Sequence, residues 1–189
     1  MLKVARNLLG KSLYTYVNGH LTGGVIVETE GYAGAHDKAC HAYGKKYTKR
    51  TKTMFEPGGV AYIYLCYGIH HLLNVVTNEE NCPDAVLIRA IEPHTGVDIM
   101  QERRKLGKIE KRITSGPGNV SSALGITREY DGVSMMSDLI WISEDGLSWR
   151  PSSGDIERSA RVGVDYAEEY AQKPWRFFLV DNSFVSKKR

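Results

Sequence analysis

Two glutamates in the run GGVIVETE, residues 23–30, carry the first chemical signal: Glu28 and Glu30 fall on one face of a strand whose other face is apolar. A carboxylate at a strand end beside an aromatic, as Glu30 stands near Tyr32, is suitably placed to act as a general base. The plainer alternative is an exposed strand face. Arg89 sits in the middle of the apolar run VLIRAIEP. A buried arginine needs a carboxylate partner or a bound anion, and Glu30 is the expected partner, with a purely structural ion pair as the alternative. From Lys38 to Lys52 lie six basic residues, Lys38, Lys45, Lys46, Lys49, Arg50 and Lys52, with no acidic one among them. Tyr43 and Tyr47 are interleaved, and Tyr62, Tyr64 and Tyr67 follow. Cations neutralise phosphates and tyrosines stack on bases or wedge between them, so this stretch points to a nucleic-acid partner. In isolation it would read as a solvated loop; its place between a carboxylate-bearing strand and a tyrosine-rich hairpin favours function. A second basic run, Arg103 to Arg112, is diluted by Glu110.

His36, Cys40, His41, Cys66, His70, His71 and Cys82 fit no closed zinc site with paired ligands, and the zinc deaminase signature is absent. No metal is expected. The cysteines read as small core residues and His70 and His71 as a hairpin tip. The SGPG run at residues 115–118 is a weak phosphate-binding signal, equally well read as an ordinary turn before a helix.

The elements that must hold these groups are mostly strands. After residues 23–30, VAYIYLCY (60–67) and HLLNVVT (71–77) flank Gly68 and predict a β-hairpin with a tight tip. Period two puts Tyr62 and Tyr64 on one face and Tyr67 on the other parity at the tip. AVLIRAIEP (85–93) is a further buried strand; LIWIS (139–143) and WRFFLV (175–180) are late ones. Helices are expected over 95–106 and, after the glycine-rich loop, within 115–126 with Val120, Ala123 and Leu124 inward. Residues 144–158 and the Lys187–Arg189 tail read as solvated loop and end. The pattern predicts an α+β fold, one compact domain around a curved, mainly antiparallel sheet. A chain of 189 residues can bury a core without disulfide or metal. The three cysteines, with no secretory leader and no run long enough to span a membrane, point to a cytoplasmic protein with reduced thiols. The formal net charge of +3 is too small to establish a polyanion partner by itself.

In order and spacing, VETEGYAGAHDKACHAYG, KRTKTMFEPGGVAYIYLCYG, LLNVV, AVLIRAIEP, SGPG and ARVGV resemble the alkyladenine (3-methyladenine) DNA glycosylase family, from about Ala5 to about Ser186. The resemblance implies one glycosylase domain over residues 1–189, with a protruding hairpin that enters duplex DNA and a monofunctional enzyme that hydrolyses the bond between a damaged purine and deoxyribose. Glu30 would activate water, helped by Arg89 and the backbone at Val162. Tyr32, His41 and Tyr64 would wall the pocket for the flipped base, and Ala39 would meet the base edge through its backbone. Asn74 would disfavour a guanine amino group, and Tyr67 would fill the gap in the stack. Lys45, Lys46, Lys49 and Arg50 would lie near phosphates. No metal, nicotinamide or nucleotide cofactor is implied. The expected partner is duplex DNA containing damaged purines, bound by a monomer, associated with the nucleoid in a prokaryote. Two features depart from the family: the chain opens almost at the first shared segment, and Gly31 stands where alanine is common. The rival enzyme reading is a bifunctional glycosylase and lyase using a lysine Schiff base, disfavoured because the base position holds a glutamate. The non-enzymatic rival is a module that only binds nucleic acid.

Overall fold

The computed structural model describes residues 1–107 and 110–186. Its longest strand, His20–Tyr32 (β2), organises the rest. One edge of β2 pairs with Ala85–Thr95 (β5) from Gly23 to Tyr32. The other edge is shared end to end: Ser12–Val17 (β1) covers residues 20–25, and Arg176–Leu179 (β8) covers Glu28 to Glu30. The hairpin of Ala61–Cys66 (β3) and His70–Val76 (β4) joins the far edge of β5. Ile140–Ser143 (β6) extends the sheet beyond β1, and Ile156–Ser159 (β7) pairs with β8. The resulting order is β3-β4-β5-β2-β1-β6, with β8 and β7 branching from β2, and every strand pairing among the described residues is antiparallel.

The β2–β5 ladder is broken twice at the centre. Pairing passes from Ile26↔Ile91 to Glu28↔Ala90 and then to Thr29↔Ile88, leaving Val27 on β2 and Arg89 on β5 without opposite numbers. Such bulges bend a strand, increase its twist and re-aim side chains. Here they curl the sheet and turn Arg89 toward the two glutamates.

Leu2–Asn7 (α1), Val97–Arg104 (α2) and Pro117–Leu124 (α3) are short. α3 starts with proline at its first turn, where the missing N–H is not needed, and stops at Gly125, whose φ of 71° suits glycine. Val120, Ala123 and Leu124 pack from α3 into a core shared with Ile88, Ile91 and Met100. Gly31, one of the two departures from the family pattern, has a packing reason: a Cβ there would lie 2.2 Å from Met1 Sδ and 3.1 Å from Leu2 Cδ2. Glycine thus lets the start of the chain lie against β2.

Several expectations change. β2 runs longer than residues 23–30 and α2 is shorter than 95–106. β7 forms within the stretch expected to be loop, because Ile156 to Ser159 find a partner in β8. Cys40 is buried as expected, but Cys66 is half-buried and Cys82 exposed. Residues 187–189, expected as a solvated tail, lie outside the described residues, as do residues 108–109 within the second basic run.

Candidate functional site

One row of directly paired residues crosses five strands: Tyr62 opposes Asn74, Asn74 opposes Leu87, Leu87 opposes Glu30, and Glu30 opposes Arg176. Opposed residues share a face, so the registers bring Glu30, Asn74 and Tyr62 onto one face of the sheet, with Leu87 between Glu30 and Asn74. Tyr32 and Tyr64 follow two positions on from Glu30 and Tyr62 on that face.

Glu30 is fully buried. Its Oε1 accepts the Val162 N–H at 2.7 Å, and its Oε2 accepts the Tyr32 hydroxyl at 3.0 Å and faces Arg89 Nη1 at 3.4 Å. All three partners line one open cavity of about 640 Å³. Glu28, equally buried, is saturated in a different way. Its Oε1 accepts from Arg89 Nε at 2.9 Å, Arg176 Nε at 2.7 Å and the Ser186 hydroxyl at 2.9 Å, while Oε2 accepts the Ser186 N–H at 2.7 Å. Arg89 therefore bridges both glutamates, and its closer partner is Glu28, not Glu30 as anticipated. Burial opposes ionisation of Glu28, but Arg89 and Arg176 outweigh it and hold the carboxyl below the usual range. Burial likewise works against the Arg89 cation, and the Glu30 and Glu28 charges overcome it, raising its pKa.

The cavity gathers most of the residues singled out in the sequence. Tyr32, Ala39, His41, Tyr64, Asn74, Arg89, Val162, Arg50 and Tyr67 all line it. Asn74 is buried and its side-chain amide donates to the carbonyls of Tyr62 at 3.1 Å and Leu72 at 3.3 Å. His41 meets Tyr64 edge-on with ring centroids 4.5 Å apart. Arg50 Nη2 approaches His41 Nε2 at 3.1 Å, and His41 Nδ1 lies 2.9 Å from the Tyr62 hydroxyl. A guanidinium only donates, so Nε2 accepts and Nδ1 carries the ring proton toward Tyr62. Burial, reinforced by the Arg50 charge, lowers the imidazole pKa to about 4, so His41 is neutral at pH 7. The Arg50 guanidinium carbon also sits 5.1 Å from the Tyr64 ring centroid. Burial raises the phenol pKa of Tyr32 and Tyr64, keeping both neutral.

Sequence reasoning passed over the ion pair behind this wall. Arg161 and Asp37 are both buried, joined through Nη2 to Oδ1 at 2.9 Å and through Nη1 to Oδ2. Asp37 also accepts the N–H of Ala39 at 3.0 Å, and Arg161 donates to the Gly31 carbonyl at 3.0 Å. The Arg161 guanidinium carbon lies 4.7 Å from the Tyr32 ring and 5.0 Å from that of Trp175, so it is sandwiched behind Tyr32. One pair thus fixes Ala39, Tyr32 and, through the chain, Val162. Asp37 and Arg161 both lie in the strings that carried the family resemblance, but neither has a spacing that reveals a partner 124 positions away.

The hairpin tip contributes Tyr67 to the cavity lining. Tyr67 is 91% exposed with φ of 50°, and Gly68 follows with φ of 73°. His70 packs on Gly118 at the start of α3, where a Cβ would lie 2.9 Å from the imidazole, and His71 Nδ1 accepts the Arg128 N–H at 3.0 Å. Both histidines therefore brace the hairpin from below. Lys45, Lys46 and Lys49 are exposed and lie outside the cavity lining. Lys38, counted with them in the basic run, is instead paired with Glu168 at 2.8 Å and Glu169 at 3.0 Å, which raise its pKa. Among the described residues no group of three histidine, cysteine, aspartate or glutamate side chains could hold a metal ion, and no helix is long and apolar enough to cross a membrane.

The methylpurine-DNA glycosylase family model matches residues 1–183. A protein of Chlamydia felis is 49% identical over 180 residues, covering 95% of this chain and 90% of its own length. One of Alkaliphilus oremlandii is 42% identical over 194 residues, covering 99% and 94%, and one of Bacillus cytotoxicus is 44% identical over 193 residues, covering 98% and 94%. All three carry the name "Putative 3-methyladenine DNA glycosylase".

Proposed function

The chain belongs to the methylpurine-DNA glycosylase family and is a DNA glycosylase, and from that premise we propose that it flips a damaged purine out of duplex DNA and hydrolyses the N-glycosidic bond with a water activated by Glu30. The observation that carries this reading is the Glu30 carboxylate: buried, and held by the Val162 N–H, the Tyr32 hydroxyl and Arg89, which all line an aromatic cavity.

A glycosidic bond inside the stack is out of reach, so the nucleotide must be extruded, which costs a few kcal/mol. Tyr67 at the hairpin tip fills the space it leaves, and Lys45, Lys46, Lys49 and Arg50 meet phosphates. The extruded base stacks between Tyr32 and Tyr64, beside His41 and the backbone of Ala39, where a cationic alkylated ring is favoured by the π faces. Asn74, anchored on two carbonyls, crowds the position of a guanine amino group. As the bond loosens, Glu30 takes a proton from water whose oxygen joins the anomeric carbon, and its charge steadies the oxocarbenium-like sugar. Arg89 Nη1 pairs with the carboxylate from 3.4 Å. The protein acts on duplex DNA as a monomer, without a lyase step.

The test is single-turnover release of 3-methyladenine from a defined duplex by the unaltered protein and by Glu30→Gln. Release by the first and a loss of at least ~10²-fold in the second is the expected result. Undiminished release by Glu30→Gln ends the mechanism.

A further inference from the structure

Tyr166, in the 3-10 segment Asp165–Tyr170, is 68% exposed, yet it lines the cavity, and its hydroxyl donates to the Ala39 carbonyl at 3.4 Å. Other polar groups around the cavity are committed at shorter range. The Tyr32 hydroxyl donates to Glu30 at 3.0 Å, the Asn74 amide to Tyr62 and Leu72, and both His41 nitrogens are engaged at 3.1 Å or less. The Tyr166 bond is the longest of these, and its ring stands in solvent, so its hydroxyl can be redirected at small cost. It lies beside the backbone assigned to the base edge. We propose that Tyr166 is a further substrate-binding residue whose hydroxyl hydrogen-bonds the departing base when that base is electrically neutral, an inference that rests on the proposed reading of the site.

The chemistry divides substrates in two. When the bond from the anomeric carbon to the purine nitrogen breaks, its electron pair goes to the purine, the water oxygen takes its place on the sugar, and the water proton passes to Glu30. A cationic methylated purine becomes neutral as it leaves and needs no donor. A neutral purine such as hypoxanthine leaves as an anion, and negative charge collects on its ring nitrogens and 6-oxo oxygen. A hydroxyl donor aimed at that charge lowers the barrier. Tyr166 keeps its proton throughout; the purine anion takes one from water on release. Burial of the hydroxyl end raises the Tyr166 pKa although Arg161 opposes it, so the phenol stays a donor at neutral pH.

The experiment compares unaltered protein with Tyr166→Phe on two duplexes in single-turnover excision, one bearing hypoxanthine and one bearing 7-methylguanine. The ring is exposed, so the variant keeps the fold. Hypoxanthine release is expected to fall about 10- to 100-fold, the effect of losing one hydrogen bond to a developing charge, with 7-methylguanine release changed by less than about 2-fold. Equal losses on both bases, or none on either, overturn the inference. Release of 7-methylguanine but not hypoxanthine by the unaltered protein overturns it while leaving the reading of the site intact. Release of neither base by a protein that still releases 3-methyladenine overturns this inference alone, and release of none of the three overturns the reading of the site as well.

Discussion

The N–H of Val162 donates to Glu30 Oε1 at 2.7 Å, across 132 positions of chain. A loop near the end of the described chain thereby fixes a carboxylate on the central strand, and the Arg161 side chain one position earlier backs the neighbouring Tyr32 ring. The wall of the cavity and its buried charge are set by the same two residues.

Glu28 and Glu30 differ in what surrounds them, and their substitution separates stability from chemistry. Glu28→Gln weakens a site on which Arg89, Arg176 and Ser186 converge. Breaking a buried pair of this kind is destabilising by about 3–5 kcal/mol, which urea unfolding should register. Glu30→Gln is expected to lose at least ~10²-fold in single-turnover excision while keeping affinity for lesion DNA. Near-normal excision by Glu30→Gln, with a large loss in folded Glu28→Gln, would reverse the two roles.

Asn74 is held by two backbone carbonyls, so its side chain cannot swing clear of a guanine amino group. Asn74→Ser should raise excision of guanine-type lesions relative to adenine-type ones. A fixed ratio across a panel of single-lesion duplexes would leave Asn74 as a strand residue tending its neighbours' carbonyls.

Exposed Lys45 and Lys46 are expected to neutralise phosphates. For the double variant Lys45→Ala, Lys46→Ala, the slope of log K against log salt should become shallower by about 0.9 for each phosphate that is no longer neutralised. Affinities at several salt concentrations give the slope directly, and an unchanged value would make the run a solvated loop.

The imidazole of His41 is depressed from 6.5 to about 4 in the folded state, chiefly by burial. Between those values the unfolded chain binds the extra proton, so stability falls as pH drops through the window from 6.5 to 4. At pH 5 the effect amounts to about 2 kcal/mol relative to pH 7 and above. His41→Gln lacks it. Urea midpoints at pH 5 and pH 7 should therefore show a smaller acid loss in the variant than in the unaltered protein, and parallel losses would place the acid sensitivity elsewhere.

Much of this was legible in the sequence, and the omissions have physical causes. The β3–β4 hairpin announced itself through period-two tyrosines around a glycine, and β5 through its unbroken apolar run. β1 was overlooked although Asn18 and Gly19, with φ of 54° and 78°, form the two-residue turn that pairs Val17 with His20. Its polar alternation, SLYTYV, hid a strand whose neighbours on both sides do the burying. The expected Arg89–Glu30 contact exists but is the longer of two, because the unmatched positions at Val27 and Arg89 alter the geometry that simple alternation assumes. Asp37 and Arg161 could not be paired from spacing, since their contact is made only when the loop beyond β7 folds back over Tyr32.

Tyr67 offers a sharper test of the hairpin than simple truncation. Its φ of 50° places an L side chain in the left-handed region, at about 1–2 kcal/mol, and its ring is 91% exposed, with little packing to compensate. A residue that burdens the fold and touches little of it is held there by something other than stability. Tyr67→Gly removes the strain and the ring together, so the variant should be as stable as the unaltered protein or more so, by up to about 1 kcal/mol. Tyr67→Ala removes the ring but keeps most of the strain. If the ring fills the gap left by an extruded nucleotide, both variants lose excision, and both lose more on a well-paired lesion than on a mispaired one, where unstacking is easier. Thermal unfolding and single-turnover excision on the paired and mispaired duplexes measure the two quantities independently. Equal losses on the two duplexes would remove the wedge role, whereas a stability gain in Tyr67→Gly with selective loss on the paired lesion would tie the strained backbone to the work of opening DNA.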